Sequence, residues 1–324
     1  MEYDITVITP VYNGEDYIRK CIESVLNQDG VKVQHIVVDD GSVDGSYEAA
    51  RGYNCVSLIK QKNAGAPSAR NLGLTKALGN YIKFLDADDY LLPGCLEKQF
   101  HAAEMNEGKV INYGFRDIVW EHRRICKRKT LRANLDDAVA SGSLPQQVSR
   151  RISKNLMTSL PLYPAKAIKK VGGFDLRLMS SQEWNLNIRL AIAGYRFMFD
   201  DVHCYTQRIH DSPSRITNRK CDPKSELLND KYTYESVESL LEHQCVRDAW
   251  AKRLRGKASN FIMAGFIEEG QRMLDEATLL SGHSVVSNIY GYPYRTLGSL
   301  FSGVSAARLH GLLIKSARKI LYRK

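Results

Sequence analysis

The sequence is poor in the features that mark several large protein classes. No G-x-G-x-x-G turn follows its first apolar run, where the chain reads Pro10-Val11-Tyr12-Asn13-Gly14, so a dinucleotide-binding oxidoreductase is disfavoured. No G-x-x-x-x-G-K-[ST] string occurs, which removes the P-loop phosphotransferases. The seven cysteines, at 21, 55, 95, 126, 204, 221 and 245, include no C-x-x-C pair. An odd number without metal-ligand spacing points to neither a zinc site nor a disulfide framework, and fits a reducing cytosol. No apolar run approaches the ~18 residues of a membrane span. Met1-Glu2-Tyr3-Asp4 lacks the basic and apolar regions of a secretory signal. No internal repeat is discernible.

What is present is ordinary globular composition. The 324 residues are 44% hydrophobic and 25% charged, which excludes wholesale disorder and matches about two average domains. Lys plus Arg number 46 against 36 acids, a net charge of +10, which favours anionic partners such as nucleotides or an anionic membrane surface. Nucleic acid is disfavoured, because no aromatic-interleaved basic groove accompanies the charge.

Along the first hundred residues, short β-branched runs alternate with helical periodicity. Strands are expected at Ile5–Thr9, Val33–Val38, Val56–Ile59 and Tyr81–Leu85. Between them, Ile18, Cys21, Ile22, Val25 and Leu26 recur at helical spacing, behind Asn13 as a cap with Asp16 completing a capping box. A short helix follows Val43, and another runs through Arg70 to Leu78. Repeated strand–helix units imply a mainly parallel sheet with right-handed crossovers. Thr9, Asp40 and the Asp86–Asp89 cluster then fall at the carboxyl ends of three strands, the edge where open α/β sheets bind ligands.

Further on, Val110–Val119 reads as a strand and Glu121–Arg132 as a basic hairpin or loop. Gly172-Gly173-Phe174-Asp175 reads as a turn, and Glu183–Gly194 as a helix. From Pro223 the pattern is helical, including Phe261–Leu280. Residues 1–222 are therefore expected to form a catalytic α/β domain and 223–324 a helical region. The stretch Arg308–Lys324 combines six basic residues with an apolar face of Leu309, Leu312, Leu313, Ile320 and Leu321, suited either to solvent or to an anionic membrane surface.

Asp86-Ala87-Asp88 offers two carboxylates two residues apart behind a buried strand, a pairing able to share a hard divalent cation that also grips a diphosphate. A lone D-x-D is equally an acidic loop. Asp39-Asp40-Gly41-Ser42 is either a turn or an acceptor aimed at a nucleoside.

Taken in order, four strings resemble a family 2 glycosyltransferase across residues 3–215. They are Val7-Ile8-Thr9-Pro10-Val11-Tyr12-Asn13, Val38-Asp39-Asp40-Gly41-Ser42, Asn63-Ala64-Gly65 with Ala69-Arg70-Asn71, and Phe84-Leu85-Asp86-Ala87-Asp88-Asp89. Gly172-Gly173-Phe174-Asp175 is also typical of that family. The resemblance implies the GT-A fold and transfer of a sugar, with inversion, from a nucleotide donor to a saccharide or lipid-linked saccharide hydroxyl. That is the type of chemistry used in bacterial surface polysaccharide synthesis.

It further implies that Thr9, Pro10 and Tyr12 line the base pocket. Asp40 would accept from a uracil imide, with Arg70 beside the same base. Asp86 and Ala87 would lie against the nucleotide, and Asp88 would bind Mg2+ or Mn2+. His210 would touch the metal or phosphates, and Arg208 would neutralise the phosphates. Where the family presents a Glu-Asp pair, this chain has Gln182-Glu183. Glu183 takes the base position one methylene longer, with Asp175 in reserve. Trp184 next to it is a packed aromatic or an acceptor-stacking ring. Two rivals remain: a nucleotidyl- or polyol-phosphate transferase using the same pocket, and a degenerate nucleotide-sugar-binding scaffold. The expected location is cytoplasmic, with peripheral attachment at the inner membrane face.

Overall fold

In a computed structural model of the chain, residues 2–120, 142–210 and 223–282 are described. They divide into two compact units. The first comprises residues up to Gly142 together with Asn155–Ser236; the second comprises Ser143–Lys154 with the chain from Val237 onward.

The first unit is built on a five-stranded sheet in the order β3-β2-β1-β4-β7. Its strands are β1 (Tyr3–Val11), β2 (Val33–Asp39), β3 (Val56–Lys60), β4 (Gly79–Phe84) and β7 (Tyr163–Pro164). The first four pair in parallel, and β7 closes the edge antiparallel to β4. β1 is sheltered on both faces: Ile5, Val7 and Ile8 are fully buried, which accounts for an unbroken apolar run rather than an alternating one. Chain order reverses between β1 and β4, so the crevice at their carboxyl ends is the topological switch point.

Pro10 marks that opening. Leu85 N–H donates to Ile8 O on the β4 side, while Asp40 N–H donates to Val11 O on the β2 side. Pro10 lies beyond the last β1–β4 pair, Ile8 with Phe84. Its missing N–H thus falls where the ladder has already parted.

Helices flank the sheet. In α1 (Glu15–Leu26) the buried residues Ile18, Cys21, Ile22 and Val25 follow the expected helical stripe. The cap differs: Gly14 occupies the N-cap and no side chain caps the helix. Asn13 instead adopts φ 50° and accepts from Val43 N–H at 3.0 Å, while its own N–H donates to Ser42 Oγ at 3.1 Å. Its side chain is spent on tying two loops together. Helices α2 (Ser46–Arg51) and α3 (Ala66–Lys76) follow. α3 lies close on the sheet because Gly73 has no side chain; a Cβ there would stand 2.5 Å from Ile8 Cγ2.

A second, three-stranded sheet, in the order β5-β8-β6, consists of β5 (Tyr90–Leu91), β6 (Val110–Trp120) and β8 (Arg196–Ile209). Between β5 and β6 runs α4 (Cys95–Glu104). α6 (Ala165–Lys170), the turn Val171–Ser181, α7 (Gln182–Ile192) and α8 (Pro223–Val237) complete this unit.

The second unit is helical in its described residues: α5 (Leu144–Ser153), α9 (Gln244–Met263) and α10 (Ile267–Ser281). α5 opens with a capping box between Ser143 and Gln146. Trp250, Leu254, Ala258 and Ile262 of α9 and Leu274 and Ala277 of α10 are buried. The expected single helix over Phe261–Leu280 is broken at Ala264–Phe266, where Gly265 takes φ 96°. No described helix is long and apolar enough to cross a membrane. The basic stretches Glu121–Arg132 and Arg308–Lys324 lie outside the described residues.

Candidate active site

The acidic cluster forms where β4 ends. Asp86, Asp88 and Asp89 place carboxylate oxygens within 4.8 Å of one another. Asp89 is buried and accepts from Arg208 N–H at 3.3 Å, with the Ser159 hydroxyl at 3.4 Å. Burial, then the charges of Asp88 and Asp86, push its carboxyl well above the ordinary aspartate range. Crowded carboxylates of this kind are relieved by a cation, and an all-oxygen donor set suits a hard divalent ion such as Mg2+ or Mn2+. The cluster thus fits the D-x-D metal site of GT-A folds.

Two arginines hold the cluster. Arg70, on α3 and buried, pairs with Asp86 Oδ1 at 2.6 Å and reaches Gln182 Oε1 at 3.5 Å. Its guanidinium lies 5.2 Å from the centre of the Phe174 ring. Arg208, near the end of β8, donates to Asp88 O at 2.6 Å and Tyr17 O at 3.2 Å. Its guanidinium also lies over the rings of Tyr17 and Tyr90. His210 Nε2 lies 3.2 Å from Asp88 Oδ2, and its ring stacks on Tyr17 with centroids 4.3 Å apart.

Asp40 follows β2, buried, and organises the neighbouring loop. Its carboxylate accepts from Gln61 Nε2 at 2.7 Å and from the Ala64 and Gly65 N–H groups at 2.8 Å. Gly41 permits that approach, at φ 76°, with a Cβ position only 2.8 Å from Asn63 N. The three residues after the first strand's core diverge. Thr9 is fully buried, with its hydroxyl 3.0 Å from His35 Nε2. Pro10 is buried, whereas Tyr12 is half-buried beside the crevice mouth. Ala87 is half-buried in the acidic loop.

Glu183 sits in the first turn of α7, partly accessible, behind Ser181 in the left-handed region at φ 56°. Surrounding protein raises its carboxyl above the usual range; Asn155 and Arg70 pull it back, and Asp86 opposes them. A raised carboxyl is a better proton acceptor once ionised. Asp175 is the opposite case. Arg177 holds it through its Nε, its Nη2 and its backbone N–H, and that guanidinium keeps its carboxyl below the ordinary range. Trp184 is buried.

Arg70, Asp86, Asp88, His210 and Gln182 thus form one connected group, with Glu183 within electrostatic reach of it. Thr9 and Asp40 are joined instead to their own partners. Sequence reading overlooked Tyr17, Tyr90, Asn155 and Ser159. The aromatics follow no motif, and Asn155 and Ser159 lie in the stretch 100–160 that carries no clear periodicity.

The architecture is a GT-A-like α/β fold with its acidic cluster at the switch-point edge. Residues 6–163 match the model of Glycosyl transferase family 2, and through this region the chain is similar to that family. Among curated relatives, 91 residues are 44% identical to the glycosyltransferase GlyA of Streptococcus pneumoniae serotype 4, covering 27% of this chain and 13% of that one. A further 115 residues are 37% identical to EpsJ, an uncharacterized glycosyltransferase of Bacillus subtilis strain 168, covering 34% and 33%. TuaG of the same strain, a putative teichuronic acid biosynthesis glycosyltransferase, is 40% identical over 100 residues, covering 29% and 40%. The chain spans less than half the length of each of these relatives. The crystal structure of S. aureus TarS 1-349 shares the fold with a TM-score of 0.59 at 18% identity, covering 86% of this chain and 90% of that one. Its complex with UDP-GlcNAc gives a TM-score of 0.57 at 19% identity, covering 86% and 92%.

Proposed function

We propose that the protein is an inverting glycosyltransferase that moves a sugar from a uridine diphosphate donor to a hydroxyl of a saccharide or lipid-linked saccharide. The product would belong to a bacterial surface polysaccharide. The observation that carries this reading is the pairing of Arg70 with the Asp86–Asp89 cluster at the switch-point edge of the sheet, with Glu183 within electrostatic reach of both. Support for the donor comes from the fold shared with TarS, whose structure holds UDP-GlcNAc.

Asp88, with His210 beside it, is the residue proposed to hold Mg2+ or Mn2+, which supplies charge neutralisation for a leaving diphosphate. Asp86 orients the ribose, held in place by Arg70. Thr9, Pro10, Tyr12, Asp40, Arg70 and Ala87 form the nucleotide pocket, with Thr9 and Asp40 contributing through the loops and strand they brace. Glu183 accepts the proton of the acceptor hydroxyl. That oxygen forms a bond to the anomeric carbon from the face opposite the leaving group. The old glycosidic bond breaks with its electron pair passing to the nucleoside diphosphate. Asp175, already committed to Arg177, is the weaker base. We place residues 1–222 as the catalytic domain and 223–324 as a helical region. A cytoplasmic enzyme whose basic Arg308–Lys324 segment rests on an anionic leaflet completes the reading.

The test is a thermal-shift panel of nucleoside diphosphates and nucleotide sugars with and without Mn2+, since a ligand of the native state raises the midpoint by mass action. A Mn2+-dependent rise with UDP and one UDP-sugar is expected. No rise with any nucleotide would overturn the catalytic reading.

A further inference from the structure

The connection between α5 and β7 reaches both the acidic cluster and the carboxylate across from it. Asn155 Nδ2 donates to Glu183 Oε1 at 2.7 Å. Four residues on, the Ser159 hydroxyl accepts from Asp86 N–H at 3.3 Å. Leu156 O accepts from Asn187 Nδ2, one turn beyond Glu183 on α7, at 3.3 Å.

We propose that Asn155 is a positioning residue for Glu183, its side-chain amide fixing one carboxylate oxygen and holding the group ionised for proton transfer. The proposal rests on the reading of Glu183 as the base, and it assigns work to a residue outside every recognised motif.

A glutamate carboxylate hangs on three torsions, so placing its backbone does not place its oxygens. Ser181, in the left-handed region, sets where α7 begins, but the side chain beyond it needs a second anchor. An amide N–H donating to a carboxylate supplies a short, charge-assisted bond of defined direction. Because an N–H only donates, the bond favours the ionised over the protonated form. The charged groups that bear on Glu183 are Arg70 from α3, which also favours ionisation, and Asp86 from the end of β4, which opposes it. Burial opposes it most strongly. Asn155 thus acts with the Glu183 backbone N–H and with Arg70 to favour the ionised carboxylate. Its side chain is exposed, so replacing it opens no cavity in the core.

The test uses the full chain carrying 13C at the glutamate side-chain carboxyls, with the Glu183 resonance assigned by its loss in Glu183→Gln. In Asn155→Ala the resonance is expected to titrate at higher pH than in the unaltered protein. In Asn155→Asp, with a second carboxylate facing it, it should titrate higher still. With the UDP-sugar found by the binding panel, Asn155→Ala should lower kcat about 5–10-fold near pH 7 with donor KM unchanged. The acid limb of the profile should move upward by the same interval as the titration, so that the deficit shrinks at higher pH. An identical Glu183 titration in Asn155→Ala and the unaltered protein would overturn the role of Asn155 alone. Full transfer by Glu183→Gln would overturn the base assignment, and the proposal with it, whatever the titration shows.

Discussion

Arg70 and Asp86, 2.6 Å apart, tie α3 to the acidic loop that follows β4. The same guanidinium that steadies Asp86 also favours the ionised form of Glu183, so a charge lost at Arg70 is felt at both. Asp88→Ala should abolish the Mn2+-dependent part of UDP binding; a thermal shift that remains Mn2+-dependent would count against the acidic cluster as the metal site. Glu183→Gln should keep donor affinity yet lose ~10²–10⁴-fold in transfer rate, the range for a general base, as read from initial rates beside a donor titration. His35 offers a test of stability. Buried beneath Thr9, its imidazole is pushed down to about 3 by burial. Between about pH 6.5 and 3 the unfolded chain therefore binds a proton that the folded one refuses. Stability should fall as pH drops through that window, by up to about 1.4 kcal/mol per unit from this residue. Urea unfolding at pH 7 and pH 4.5 checks this, and His35→Gln should flatten the difference.

Elements differ in how far their residues announced them. The parallel core was legible because β1, β2 and β4 are buried runs punctuated by Pro10, Gly41 and the Asp86–Asp89 loop, local signals within a few residues of each boundary. The second sheet was not, since β6 pairs with β8 some ninety residues later and no local pattern encodes that pairing. α5 escaped notice although Ser143-Leu144-Pro145-Gln146 carries a capping box and a first-turn proline, the two signals that mark it. The candidate site divides the same way. Asp86, Asp88 and Arg70 stand in recognisable strings, whereas Asn155, Ser159 and Tyr17 reach the site only through folding. Loop geometry also sets a prediction. Gly41→Ala would force a side chain into positive φ and against Asn63 N, costing about 1–3 kcal/mol in urea unfolding. Because the Asp40 loop shifts with it, UDP binding should weaken in the same variant.

At the scale of the whole molecule, the excess of 46 basic over 36 acidic residues sets long-range attraction to anions that salt screens within ~8–10 Å. Deleting Arg308–Lys324 should weaken sedimentation with vesicles containing phosphatidylserine at low salt; unchanged binding would return that segment to a solvated role. The division into units has a different consequence. α5 belongs to the second unit, yet it is inserted in the chain of the first, and its partner α9 begins at Gln244, about ninety residues downstream. During synthesis on the ribosome, the apolar stripe of Val148 and Ile152 must therefore wait several seconds at ordinary elongation rates before its cover emerges. A nascent chain halted near residue 236 should hold this helix unsheltered and draw chaperones, while one extended past Ser281 should release them.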